Sequence, residues 1–149
     1  VKTVQSLDMT PIICIGETLA TTVLATTLEA VTAPDVRAVV HEILGDEVRH
    51  SRLGWAHLAG EAALGRARFL GGFLPRMLAA GVPSDLFAGA LPGPDAEALR
   101  GYGVLPKTEI VEIFQATMEQ VIFPGFEELG VDVTQARAWL SSQARSTRG

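Results

Sequence analysis

Apolar residues along this chain recur at the steps of a helical face, and no alternating run long enough for a strand interrupts them. From Pro11 to Val31, Ile13, Glu17, Leu24, Leu28 and Val31 fall on one such face. Pro11 suits a first helical turn, where its missing N–H has no intrahelical partner. Thr32-Ala33-Pro34-Asp35 reads as a tight connection, with Thr32 or Asp35 as the side chain that caps the next helix. A second helix runs from Pro34 to about Leu64, and its apolar pattern continues through Phe69 and Phe73 towards Leu78. Val36, Val40, Ile43, Glu47, His50, Gly54 and His57 form a continuous stripe along it. A connection this short predicts antiparallel neighbours.

From Gly81 to Pro106 the pattern breaks into Gly-Val-Pro-Ser, Leu-Pro-Gly-Pro-Asp and Gly-Tyr-Gly-Val-Leu-Pro, with one or two helical turns expected over Asp95–Leu99. A third long helix is predicted from Lys107 to about Phe123, where Pro124 and Gly125 kink or stop it. Asp132 or Thr134 then starts a short terminal helix carrying Ala138, Trp139 and Leu140, and Ser141–Gly149 reads as a polar tail. The expected fold is all-α, organised as a helix pair over 1–80, a Pro/Gly-rich connection over 81–106, and a C-terminal helical extension over 107–149 that packs on the bundle.

Composition narrows the function classes. The chain has 149 residues, 48% hydrophobic and 19% charged, with mean hydropathy +0.28, too apolar for a disordered segment. A net charge of −5 argues against nucleic acid as a partner. One cysteine excludes an internal disulfide framework and any Cys-rich zinc site, and points to a reducing compartment. Met9–Val31 is long enough to span a bilayer, but Glu17, Glu29 and its threonines argue for a helix of a soluble, cytoplasmic protein. The chain opens on Val1 rather than Met, which suggests a processed, trimmed or fragmentary product.

Glu17 lies on the apolar face of the first helix, and Glu47 and His50 on the stripe of the second. An ionised carboxylate costs several kcal/mol to bury unless it is paired or holds a cation. A bound metal accounts for all three groups at once. Glu47-Val48-Arg49-His50 is Glu-x-x-His, which places both side chains on one helical face. Carboxylate oxygen and imidazole nitrogen are suitable ligands for iron, manganese or zinc.

Ile15-Gly16-Glu17-Thr18 followed by Asp46-Glu47-Val48-Arg49-His50 resembles the second half of a ferritin-like di-iron carboxylate bundle, over about Ile12–Ala59. In that superfamily two helices each give one Glu and two others each give Glu-x-x-His. The resemblance implies that Glu17, Glu47 and His50 ligate iron, with manganese as the alternative. It further implies that Asp46 steadies a metal-bound His from the other half of the site. Thr21, one turn after Glu17, matches a Thr that some di-iron oxygenases use in proton or oxygen handling. His41 and His57 have Ala38 and Gly54 three residues before them, so the chain carries half a site. The other half is expected from a missing N-terminal helix pair or from a second copy in a homodimer.

The implied activity is an O2- or peroxide-dependent oxidoreductase, fed by an external electron donor because no Cys-rich segment is present. The opposing class is a non-catalytic helical interaction or structural module. There Glu47 pairs with Arg49 or Arg52, His50 is merely buried, and Asp46–Arg49 is an ordinary surface pair. Cys14 reads as a small buried hydrophobe, His57 as a core or rim histidine, and Trp55, Phe69 and Phe73 as packing rather than a radical relay.

Overall fold

The computed structural model describes residues 10–83, 86–88 and 96–146, and every regular element among them is helical, as the sequence predicts. Helix α1 is Thr10–Ala30 and α2 is Pro34–Ala63. A 3₁₀ turn, Arg68–Gly72, leads into α3, Leu74–Gly81. The single turn α4, Ala96–Leu99, runs into a 3₁₀ turn, Arg100–Tyr102. Helix α5, Lys107–Thr117, passes through a π-helical turn, Met118–Ile122, into α6, Phe123–Glu128, and α7 is Thr134–Ser146.

Threonine is a poor helix former, partly because its hydroxyl competes for backbone groups. Helix α1 turns that competition inward. Thr21, Thr22, Thr26 and Thr27 each donate to the carbonyl four residues back. The α1–α2 turn is closed by two groups from outside it. Arg37 Nη1 donates to the Leu28 and Val31 carbonyls at the C-terminal end of α1, where a cation is favoured. The Gly101 carbonyl accepts from the amides of both Thr32 and Ala33. The residue that caps α2 is Ala33, with no side-chain bond, rather than Thr32 or Asp35. Pro34 at the first helical position lacks one of the N–H groups that a cap would satisfy, and Asp35 sits in the first turn.

The two long helices run antiparallel, as shown by Glu17 facing His50 and Cys14 facing Gly54. A core gathers on one side of this hairpin: Cys14, Ile15 and Leu58 meet Leu70, Leu74 and Leu78, then Phe114, Met118, Ile122, Phe123, Phe126 and Leu140. The opposite side stays open among the described residues. Of the predicted α2 stripe only Val40 and Gly54 are buried; Ile43 is exposed, as are Ile13 on α1 and Leu53 beside the stripe. The 18 residues Ile13–Ala30 are long and apolar enough to cross a membrane by length and composition, and 22% of them are buried within the protein.

Two of the helix boundaries differ from the sequence reading and one agrees with it. Helix α2 ends at Ala63, within a residue of the expected Leu64, and does not run on towards Leu78, because Gly65 takes φ +72° and its amide bonds back to the Ala62 carbonyl. Pro124 neither stops nor breaks the third long helix. The Phe123 amide reaches five residues back to the Met118 carbonyl, and this wider turn makes room for the proline ring, so the helix continues to Glu128. The terminal helix extends through Ser146, absorbing most of the expected tail. Thr147–Gly149, the start at Val1–Met9, and 84–85 and 89–95 of the Pro/Gly-rich connection, with the predicted helix start at Asp95, lie outside the described residues.

Candidate metal centre

The antiparallel pairing of α1 and α2 brings Glu17, Glu47 and His50 together. One ligand atom from each lies within 4.8 Å of the other two. His50 Nδ1 is 3.4 Å from Glu47 Oε2 and 3.9 Å from Glu17 Oε2. Helical spacing aims Glu47 and His50 the same way, and the three-residue turn sets Glu17 opposite them.

The cluster is less buried than the sequence implies. Side-chain exposures are 30% for Glu17, 23% for Glu47 and 55% for His50. Glu17 and His50 line an open groove of about 530 Å³ together with Ile13, Leu53, Gly54 and His57. The stripe is apolar as predicted, yet no described element covers it, so water reaches the imidazole.

The electrostatics are those of two carboxylates competing for one site. A hydrogen bond with Glu47, burial and the Glu47 charge raise Glu17 above the usual carboxylate range, and His50 partly offsets this. Glu47 is held below that range by the same hydrogen bond and by His50. Like charges this close favour a shared cation. Two carboxylates and one imidazole make a donor set that could hold a metal ion, and three ligands leave coordination positions free.

The other predicted residues fall out differently. Asp46 is tied to Arg49 at 2.6 Å on the outer surface, their side chains 63% and 73% exposed. Thr21 donates at 2.7 Å to the Glu17 carbonyl oxygen, so its hydroxyl engages the backbone of the ligand helix. Neither Arg49 nor Arg52 bonds Glu47 among the described contacts. Cys14 lies in the core, and burial pushes its thiol up to about 12, which keeps it protonated and unsuited to metal binding at neutral pH. His57 lines the rim of the groove. Phe69 and Phe73 pack edge-on against each other, ring centroids 6.0 Å apart.

One network escaped the sequence reading. Trp55 Nε1 donates to Thr18 Oγ1 at 2.9 Å, and Thr18 Oγ1 is 3.0 Å from Ser51 Oγ. The only signal in the sequence is that Thr18 and Ser51 each directly follow a candidate ligand. No family model, curated protein or solved structure matches this chain.

Proposed function

We propose that this chain is one half of a ferritin-like di-iron carboxylate bundle and works as an O2- or peroxide-dependent oxidoreductase. The convergence of Glu17, Glu47 and His50 within 4.8 Å carries this reading. Glu17 and Glu47 would hold and balance the cationic charge, and His50 would supply an imidazole nitrogen. Paired irons supply two-electron redox chemistry at open coordination positions. Ile13 and Leu53 flank the cluster and, once covered, keep water from it.

The rest of the ligand set comes from a helix pair bearing a further Glu and a further Glu-x-x-His, or from a second copy. Either would lie over the groove and bury the exposed apolar side chains beside it. Electrons come from a separate donor protein. The same reading makes the chain soluble and cytoplasmic, with α1 a bundle helix whose apolar side is covered by protein.

One observation favours the opposing class. His50 Nδ1 lies 3.4 Å from Glu47 and its ring is half exposed, so the cluster has partners of its own and access to water without a metal. A non-catalytic helical module tolerates such a cluster. Metal per chain, measured with solution mass by elemental analysis and light scattering after anaerobic Fe(II) loading, separates the two. About one iron per chain in a dimer, abolished by Glu47→Ala, supports a site completed by a second copy. A chain that stays metal-free sinks the enzymatic reading for this polypeptide.

A further inference from the structure

Thr18 follows Glu17, and Ser51 follows His50. Successive helical residues point about 100° apart, so each helix turns one side chain into the groove and the next one into the α1–α2 interface. The result is two contacts at one level. Outside, Glu17 Oε2 lies 3.9 Å from His50 Nδ1; inside, Thr18 Oγ1 lies 3.0 Å from Ser51 Oγ.

The inner contact is unlike the rest of the helix. Thr21, Thr22, Thr26 and Thr27 spend their hydroxyls on their own backbone, whereas the Thr18 hydroxyl, 7% exposed, bonds across to α2 twice, to Ser51 and to Trp55. Trp55 is fixed in turn. Its ring centroid is 5.2 Å from that of Phe126, and a Cβ on Gly125 would come within 2.9 Å of it, so α6 backs the indole directly.

We propose that Thr18, Ser51 and Trp55 form a clasp that sets the register of Glu17 against Glu47 and His50, which makes Thr18 a positioning residue of the metal centre. This rests on the metal reading above. Apolar burial is non-directional, so it does not by itself single out one register of a helix pair. Metal ligands need their geometry within about 0.5 Å. A slip of one residue moves Glu17 by about 1.5 Å along α1 and turns it away from His50. A directional hydrogen bond one residue from Glu17 and one from His50 supplies that selection. Through Trp55 it also makes the C-terminal helices a brace for the site.

The test titrates Co(II) into the 149-residue chain and follows its visible absorption, with thermal unfolding recorded in parallel. Thr18→Val keeps the shape and removes the hydroxyl; Thr18→Ser restores it; Trp55→Phe keeps a ring and removes the donor. The clasp predicts Co(II) affinity about tenfold weaker in Thr18→Val, within about twofold of wild type in Thr18→Ser, and weakened in Trp55→Phe. Thr18→Val that melts earlier yet binds Co(II) as tightly as wild type overturns the clasp and leaves the metal reading standing. A wild-type chain that takes up no Co(II) overturns both. Should Thr18→Val fail to fold, Trp55→Phe carries the same comparison.

Discussion

At the scale of single residues, what the sequence shows is spacing, and what it hides is which side of a helix is covered. Glu17, Glu47 and His50 were legible because thirty positions and a tight turn bring them level, and the structure places them within 4.8 Å. Their exposure was not legible, because an apolar stripe looks the same whether it meets a core or an open groove. The same limit hides close backbone approaches. Gly71 and Gly72 are adjacent and identical in sequence. A Cβ on Gly71 would meet the Asp132 carbonyl oxygen at 2.5 Å, whereas one on Gly72 would meet nothing within 4 Å. Gly71→Ala is therefore expected to destabilise by about 1–3 kcal/mol, because backbone cannot step aside as a flexible side chain would. Gly72→Ala, measured beside it by urea unfolding, should leave the midpoint close to wild type. Equal losses in the two variants would show that the 3₁₀ turn does not lie against the start of α7.

Element boundaries follow from local chemistry that competes with periodicity. The apolar pattern runs straight through Gly65, and only the left-handed backbone at that residue, φ +72°, ends α2. Pro124 misleads in the opposite sense. Its local effect is to stop a helix, but Met118, Ile122, Phe123 and Phe126 are all buried in the core, and their burial outweighs one lost hydrogen bond. The π turn is the compromise, one wider turn that keeps the apolar face aimed inward. The Gly65 stop is testable, since alanine there must adopt the left-handed conformation or lengthen α2. Gly65→Ala should cost about 1–2 kcal/mol of stability, with nothing within 4 Å of the new Cβ to blame instead. A variant as stable as wild type, with increased helical ellipticity, would mean that α2 can extend and that the stop is not built into the fold.

At the scale of the molecule, ion pairs tie the segments that pack around the hairpin to one another. Arg100 grips Glu109 with both terminal guanidinium nitrogens, at 2.5 and 3.0 Å, joining the segment that closes the α1–α2 turn to the first turn of α5. Arg137 joins α7 to Glu119 and Glu127 and lies over the Phe123 ring, 4.9 Å from its centroid. Asp132 accepts from the Thr134 amide at 2.9 Å and starts α7. These links set the acid behaviour. Arg100 holds the Glu109 carboxyl below the usual carboxylate range, and the bonds from Thr134 do the same for Asp132. A carboxyl whose folded value is lowered binds protons more readily when unfolded. Its contribution is therefore complete above the unfolded value and is lost as pH falls through the lowered folded one. Stability should accordingly decline on the acid side of the ordinary carboxylate range. Both Glu109→Gln and Asp132→Asn should flatten that decline while lowering stability at neutral pH. The two groups share no partner, so their effects should add in the double variant. Urea midpoints across the acid range read this directly. If Glu109→Gln keeps the wild-type acid slope, the Arg100 tie does not persist in solution, and the Gly101 carbonyl must hold the α1–α2 turn without it.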